Sequence, residues 1–185
     1  MAGPRTLFDI QTDPPIAGMK FALDKLADGV SDFSGLFDGY DEIFRTYMVQ
    51  QFTTEGGFGA GGWHPLSPAY DAWKREHYPG RPIGVLTGAL RSSMTGGQGY
   101  SARLNKTEAS YGMDRGSKAL DYGQYFHKGT PKMPARPVIQ WSAEQSRAFQ
   151  KHTHVWLHWE VQDSLGKMPH GAKNPAVPGA FGGGL

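Results

Sequence analysis

Three histidines in one segment come closest to the pattern of a metal site. His154 and His158 stand four residues apart in a segment with helical periodicity, and His152 precedes them. Two imidazoles at that spacing share one face of a helix and are able to bind one zinc ion. A catalytic zinc usually takes a third protein ligand, and one turn further along the helix the residue is Gln162. We therefore interpret these histidines as packed or solvent-facing side chains, and a metal-dependent hydrolase that uses His154 and His158 is an alternative hypothesis.

The glycine-rich segment 57–62 is the second place where residue types and spacing suggest a site. It reads Gly-Phe-Gly-Ala-Gly-Gly, which matches the G-x-G-x-x-G pattern of dinucleotide-binding proteins. That pattern works because a strand leads into the loop and the N-terminus of a helix receives the pyrophosphate. Here a helical pattern precedes the loop and Trp63-His64-Pro65 follows it. The G-x-S-x-G motif of hydrolases is absent as well, so the sequence predicts no catalytic residues, no metal and no cofactor.

The composition favours a structural or binding protein. The chain of 185 residues is long enough for one domain with a core, contains no cysteine, and has no apolar run near the roughly 20 residues that a membrane-spanning helix needs. We expect a protein that is made in a cytoplasm, stays soluble and does not contact a membrane.

Charge is divided unevenly along the chain. Residues 1–55 carry four basic and nine acidic side chains, whereas residues 56–185 carry fifteen basic and eight acidic ones. Such a division suits head-to-tail contact between copies, or one face turned toward an anionic partner. No run of Lys and Arg exceeds two residues, so a DNA-binding module is retained only as a second alternative.

Helical patterns occupy most of the first half of the chain. Apolar residues recur at three-to-four spacing over 16–30, and a wider aromatic stripe runs over 33–52, with Ser31 or Asp32 as its cap. Residues 53–62 read as a glycine-rich loop. Shorter helices are predicted at 67–78, from residue 87 and at 120–127.

Strand patterns are short and few. Alternating residues predict a hairpin of Tyr100–Leu104 and Ala109–Met113 around Asn105-Lys106, with further strands at Leu7–Gln11 and Pro137–Trp141. A final helix is predicted over 142–162. The sequence thus predicts an α+β domain over residues 1–162, in which helices flank a small antiparallel sheet. An extended Gly/Pro-rich C-terminal arm follows over residues 163–185.

Short aromatic and proline-containing motifs follow one another between residues 52 and 139. They are Phe52-Thr53-Thr54-Glu55-Gly56-Gly57, Trp63-His64-Pro65-Leu66-Ser67-Pro68, Pro79-Gly80 with Pro82-Ile83, Leu86-Thr87-Gly88-Ala89-Leu90-Arg91-Ser92-Ser93, and Met133-Pro134-Ala135-Arg136-Pro137-Val138-Ile139. In this order they resemble the virion morphogenesis, or tail-completion, proteins of long-tailed bacteriophages, over roughly residues 16–141. One departure is His127-Lys128-Gly129, which stands where that family often has His-Gln-Gly.

The resemblance implies a non-enzymatic structural subunit at the head–tail junction of a virion. Such neck or tail-terminator subunits form a ring, commonly of six, that finishes the tail tube or joins it to the head connector. We therefore expect a homo-oligomeric ring whose partners are the neighbouring connector and tail tube proteins. Genomic DNA would pass through its lumen without specific binding, and the protein would be located in the virion after synthesis in the bacterial host cytoplasm.

Four residues are candidates for contacts between subunits. Trp63 either fixes the adjacent loop to its own domain or contacts a neighbouring ring protein. Arg136 lies between two prolines, and both an inter-subunit salt bridge and an intrachain contact are open. Phe181 and Leu185 are apolar side chains of the arm, whose few such residues cannot offset the entropy of ordering it alone. We therefore expect the arm to cross to a neighbouring subunit.

The polar face of the long helix is a candidate lining for a DNA channel. It carries Asp38, Asp41 and Glu42. A negative lumen repels the phosphate backbone and lets DNA slide without sticking. An ordinary solvated helix face is the competing interpretation.

Overall fold

A computed structural model describes residues 16–167, apart from the side chains of residues 16–19 and 59–60. Within this range the elements are α1 (Ile16–Gly29), α2 (Ser34–Thr53), α3 (Gly57–Ala60), α4 (Pro68–His77), α5 (Ala89–Ser92), β1 (Tyr100–Leu104), β2 (Ala109–Met113), α6 (Lys118–Lys128) and α7 (Ala143–Ser164). Helices with one small antiparallel sheet make an α+β architecture, as predicted. The predicted strand Leu7–Gln11 lies outside the described residues, and so do Phe181 and Leu185.

Helix α2 forms the centre of the core, and its predicted aromatic stripe is confirmed. Asp32 Oδ1 accepts the Ser34 N–H at 3.0 Å, which satisfies one of the free main-chain donors at the start of the helix. The large side chains of the buried face are Leu36, Ile43, Tyr47, Met48 and Phe52. Burying an apolar side chain of this size contributes about 1.5–3 kcal/mol, so this stripe makes a large contribution to core stability.

Helix α7 packs along α2 through aromatic side chains. Its first turn is fixed by a capping box, in which Ser142 Oγ accepts the Gln145 N–H and Gln145 Oε1 accepts the Ser142 N–H. Further along, Trp156 is buried 5.5 Å from the ring of Phe33. The predicted final helix is thus confirmed, and its buried face closes the core on one side of α2.

The hairpin of β1 and β2 lies on another side of α2. The strands pair antiparallel, with Tyr100 opposite Met113 at the open end. In the turn, Asn105 Oδ1 accepts the main-chain N–H of Glu108 at 2.7 Å, which explains an Asn at this position. Tyr111 donates its hydroxyl proton to the Phe37 carbonyl of α2 at 2.8 Å, and this bond fixes the hairpin on the helix.

Helix α1 packs on α7 and is only partly buried. Ala22 is buried, whereas Leu23, which the sequence pattern predicts on the buried stripe, is 62% exposed. That part of the prediction is wrong because α1 has α7 as its main helix neighbour, so a narrow stripe suffices to bury it. Lys25 and Asp163 form an exposed ion pair at 3.5 Å across the two helices.

Two predicted segments have different structures. Residues 57–60 of the predicted loop form one helical turn, α3, which follows Gly56 in the left-handed conformation. The predicted arm begins at Asp163, but α7 continues through that residue to Ser164. It ends there because Gly166 adopts a φ of +67° and the Lys167 N–H returns to the Gln162 carbonyl at 3.0 Å.

The predicted strand Pro137–Trp141 is wrong. Pro137 and Val138 have no strand partner among the described residues, because side chains take up their main-chain groups. The Pro137 carbonyl accepts from Trp63 Nε1 at 2.8 Å, and the Val138 N–H donates to His127 Nδ1 at 3.1 Å. No helix within residues 16–167 is long and apolar enough to cross a membrane.

Candidate binding cleft

The motifs that are far apart in the sequence meet at Trp63. Its indole is 8% exposed, packs edge-on against Phe52 at 5.5 Å and Phe126 at 5.1 Å, and donates to the Pro137 carbonyl. Gly56 lies directly against the indole, and a Cβ atom there would overlap the ring. Trp63 therefore joins its own loop to residues 126 and 137. The intrachain alternative is thus the one seen in the described residues, since the side chain is largely enclosed by its own chain, and a contact with a neighbouring subunit stays a prediction.

Arg136 is a buried cation that holds two loop carbonyls. Its Nε donates to the His64 carbonyl at 2.7 Å and its Nη2 to the Pro65 carbonyl at 2.8 Å. The guanidinium lies 5.7 Å from the centre of the Phe126 ring. Burial lowers the pKa of this group, which is 2% exposed. The intrachain alternative is the one observed, and an inter-subunit salt bridge stays an untested prediction.

Lys74 and Glu55 fix the turn at residues 82–83 in the same way. Lys74 is a buried residue of α4, and its Nζ donates to the Pro82 carbonyl at 2.6 Å. Glu55 Oε1 accepts the Ile83 N–H at 2.7 Å. Burial lowers the pKa of Lys74, and the nearby carboxylate of Glu55 offsets part of that effect. We call residues 54–65, 82–85 and 133–138 the motif framework, since side chains hydrogen-bonded to main chain hold them together.

An open cleft of about 440 Å³ lies over the motif framework. Its apolar walls come from α4, α6 and three loops, one before α4, one between the two helices and one after α6, and include Leu66, Tyr70, Leu86, Tyr122, Tyr125 and Met133. The Tyr122 hydroxyl accepts the Leu90 N–H at 2.8 Å, and this bond fixes one wall. Tyr125 is 57% exposed, so its ring has most of its surface free for contact. Exposed aromatic rings around a concave surface are typical of binding sites.

The charges of the cleft are all of one sign. Lys74, Lys132 and Arg136 line it, and none of the described lining residues is Asp or Glu. Two of these cations are buried in the floor, whereas Lys132 is exposed at the rim. The cleft therefore suits a ligand that combines apolar groups with negative charge.

A ladder of rings extends along α4 beside the cleft. Tyr70 stacks on Trp73 at 5.5 Å, and Trp73 stacks on His77 at 4.9 Å. Tyr70 belongs to both the ladder and the cleft wall. The apolar surface available to a partner thus continues beyond the cleft itself.

The three histidines of α7 do not converge. His152 is buried against α2, whereas His154 and His158 are exposed. Burial lowers the pKa of His152, which favours the neutral imidazole. Within the described residues, no three side chains of His, Cys, Asp or Glu come together as metal ligands.

The three carboxylates of α2 have different surroundings. Asp38 and Glu42 are exposed. Asp41 is half-buried, pairs with Arg45 at 3.0 Å and accepts the hydroxyl proton of Tyr100. Burial and this carboxylate both raise the pKa of Tyr100. The charge of Asp41 is therefore compensated within the chain, whereas Asp38 and Glu42 are the more exposed carboxylates of the predicted channel lining.

The sequence motifs contain part of the cleft lining, such as Leu66, Leu86 and Met133, but they do not predict a cleft. Tyr122, Tyr125 and Lys132 lie outside those motifs. One signal was available, since two tyrosines three residues apart in a helix share a face. The loop that brings Met133 and Lys132 opposite them has no periodicity, so the second wall had no signal.

Comparison of the chain with protein-family models, with curated proteins and with solved structures finds no match in any of the three.

Proposed function

We propose that this protein is a ring-forming structural subunit at the head–tail junction of a tailed bacteriophage, where it completes the tail or joins it to the head connector. The observation that carries the proposal is the motif framework. Several of the motifs on which the phage resemblance depends are distant in sequence, yet Trp63, Arg136 and Glu55 join them by direct hydrogen bonds. If the chain shares the fold of those phage proteins, these motifs are expected to form one structural unit.

The surface of the chain also suits assembly. A ring is built from heterologous contacts, in which two different patches of neighbouring subunits meet. The cleft offers one patch, with aromatic walls and positive charge. The chain carries its excess of acidic residues at 1–55, which supplies the opposite sign for a second patch. In this proposal the exposed Asp38 and Glu42 face the lumen, where they repel DNA.

Particles of the phage that encodes the chain provide the test. A nonsense mutation in its coding sequence should leave heads and tails that do not join, and a plasmid copy of the chain should restore complete particles. Imaging of particles that carry a labelled chain should locate it as a closed ring at the neck. A chain that is absent from purified particles, or present as one copy or a two-fold dimer, would contradict the proposal.

Paired variants separate the structural proposal from the hydrolase alternative. The double variant His154→Gln, His158→Gln changes two exposed side chains, so it should restore particles as well as the unaltered chain does. Loss of infectivity that is rescued by added zinc would instead favour the metal-dependent alternative.

A further inference from the structure

We propose that the cleft over the motif framework binds residues 6–15 of a second copy of the chain. This inference rests on the proposed function, since it identifies the contact by which neighbouring subunits would join. The cleft has about 440 Å³ of free space between aromatic walls, and the described part of its own chain does not fill it. Its occupant must therefore supply apolar groups and, because three cations line the cleft, negative charge.

The composition of residues 6–15 matches the apolar part of this requirement. The segment reads Thr-Leu-Phe-Asp-Ile-Gln-Thr-Asp-Pro-Pro. Leu7, Phe8 and Ile10 are large apolar side chains, and a Pro-Pro sequence such as 14–15 favours an extended backbone when it binds. Proline rings in extended segments are commonly bound in clefts lined with aromatic side chains, as Tyr70 and Tyr125 line this one.

Charge distinguishes this segment from the other region outside the described residues. Residues 6–15 contain Asp9 and Asp13 and no Lys, Arg or His. Residues 168–185 contain His170 and Lys173 and no Asp or Glu. A positive cleft attracts the first segment and disfavours the second. Glu55, the carboxylate near Lys74, does not cancel the positive charge of the cleft lining, because it lines a separate, adjoining groove.

The position of α1 favours a second copy as the source of the segment. Residue 16 begins α1, which packs on α7, and neither helix contributes a residue to the cleft. A segment that leaves one subunit at α1 and enters the cleft of the next makes two different patches meet. Contacts of this type repeat from subunit to subunit and are able to close into a ring.

The absence of cysteine from the chain permits a direct test by disulfide formation. Ser67→Cys places a thiol in the cleft with little change of shape, since Ser67 is exposed and its side chain makes no helix-cap bond. Thr12→Cys places one in the segment and leaves its apolar and acidic residues intact. Full-length chains carrying one substitution each, and tags of different size, are mixed and oxidised, and the disulfide-linked heterodimer is measured on a non-reducing gel.

Several matched variants make the result specific. Ser110→Cys, an exposed serine on β2, replaces Ser67→Cys as the control, and Ala180→Cys replaces Thr12→Cys to test the other end of the chain. We expect Thr12→Cys mixed with Ser67→Cys to give about tenfold more heterodimer than Thr12→Cys mixed with Ser110→Cys. Adding Lys132→Glu to the chain that carries Ser67→Cys should remove most of that excess. Asp13→Lys in the partner chain should then restore part of it, because the two charges are exchanged.

Four outcomes would overturn the inference. The first is a heterodimer yield for Thr12→Cys with Ser67→Cys that is no higher than the yield with the Ser110→Cys control, and the second is a higher yield for Ala180→Cys with Ser67→Cys. The third is a disulfide that forms within a single chain carrying both Thr12→Cys and Ser67→Cys at high dilution. The fourth is blocking of the disulfide between residues 12 and 67 by a single-stranded oligonucleotide at concentrations below that of the protein. The last outcome would assign the cleft to nucleic acid. A chain that enters particles without this cross-link refutes only the inference, whereas one that cross-links but is absent from particles refutes only the proposed function.

Discussion

The helix pair α2 and α7 and the motif framework are both buried, but different forces hold them. Between the helices aromatic packing predominates, such as Tyr40 and Phe149 packed edge-to-face at 4.8 Å, beside one side-chain hydrogen bond between Tyr40 and Thr153 at 2.6 Å. In the motif framework, Trp63 and Arg136 join residues 54–65 to residues 133–138 by hydrogen bonds to main-chain carbonyls, and Glu55 joins residues 54–65 to residues 82–85 by accepting the Ile83 N–H.

This difference determines how each region tolerates change. An aromatic interface spreads its free energy over many contacts, so one altered side chain removes a small share of it. A framework held by a few polar side chains depends strongly on each of them, because each one carries a large share of the hydrogen bonds between the segments. We therefore expect single substitutions to cost most in the motif framework.

The largest effect is expected from Arg136→Ala. The substitution removes both hydrogen bonds to the His64 and Pro65 carbonyls and leaves these acceptors without their charged donor. We expect the free energy of unfolding to fall by about 3–5 kcal/mol, measured by urea denaturation at neutral pH.

Two further arginine variants sharpen this test. Arg91→Ala changes an exposed arginine of α5 and should alter stability by less than about 0.5 kcal/mol. Arg136→Lys keeps the charge but loses the fork that reaches two carbonyls, so it should recover only part of the loss. Equal stability of Arg136→Ala and Arg91→Ala would mean that the motif framework does not depend on this side chain.

A smaller effect is expected from Gly39→Ala in the helix pair. In an isolated helix this change gains about 1 kcal/mol. Here the new methyl group would overlap the ring of His152, which is buried between the helices. The helices must move apart or the ring must turn, and we expect the free energy of unfolding to fall by about 1–3 kcal/mol, measured by urea denaturation.

Gly116→Ala is the control for Gly39→Ala, because a Cβ atom at that position meets only Asp114 Oδ2, at 3.8 Å. An unchanged or raised stability for Gly39→Ala would show that the helix pair accommodates the methyl group.

The helix pair was largely predictable from the sequence. The aromatic stripe of α2 has the period of a helix, and Ser142 with Gln145 three residues later is the pattern of a capping box. Such signals are local, since the residues that carry them lie within one or two turns. The buried stripe of α1 was predicted less well, because the extent of its burial depends on a neighbour distant in sequence.

The motif framework and the cleft were not predictable in the same sense. An intrachain contact is one of the two alternatives that the sequence leaves open for Trp63 and for Arg136, but the sequence does not indicate which groups these side chains bind. Which carbonyl a buried side chain binds depends on three loops meeting in space, and no period encodes that. Pro137–Trp141 has strand-forming residues, yet its main-chain groups bond to the side chains of Trp63 and His127. Tertiary contacts therefore override local propensity in this segment.

The smallest of the three effects is expected from pH, through His152 in the helix pair. Burial lowers the pKa of this imidazole below its ordinary value of 6.5, although the Leu36 main chain and the carboxylate of Glu42 offset part of that effect. The unfolded chain therefore binds a proton at higher pH than the folded chain does. Stability should be constant with respect to this group above about pH 6.5 and should decrease as the pH falls below that value toward the pKa of the folded state. Urea midpoints measured between pH 7.5 and 5.0 should show a decline that is smaller in His152→Gln and unchanged in His154→Gln, whose side chain is exposed. Parallel pH profiles for His152→Gln and the unaltered protein would mean that the helix pair contains no titrating group of consequence, and its stability would then rest on packing alone.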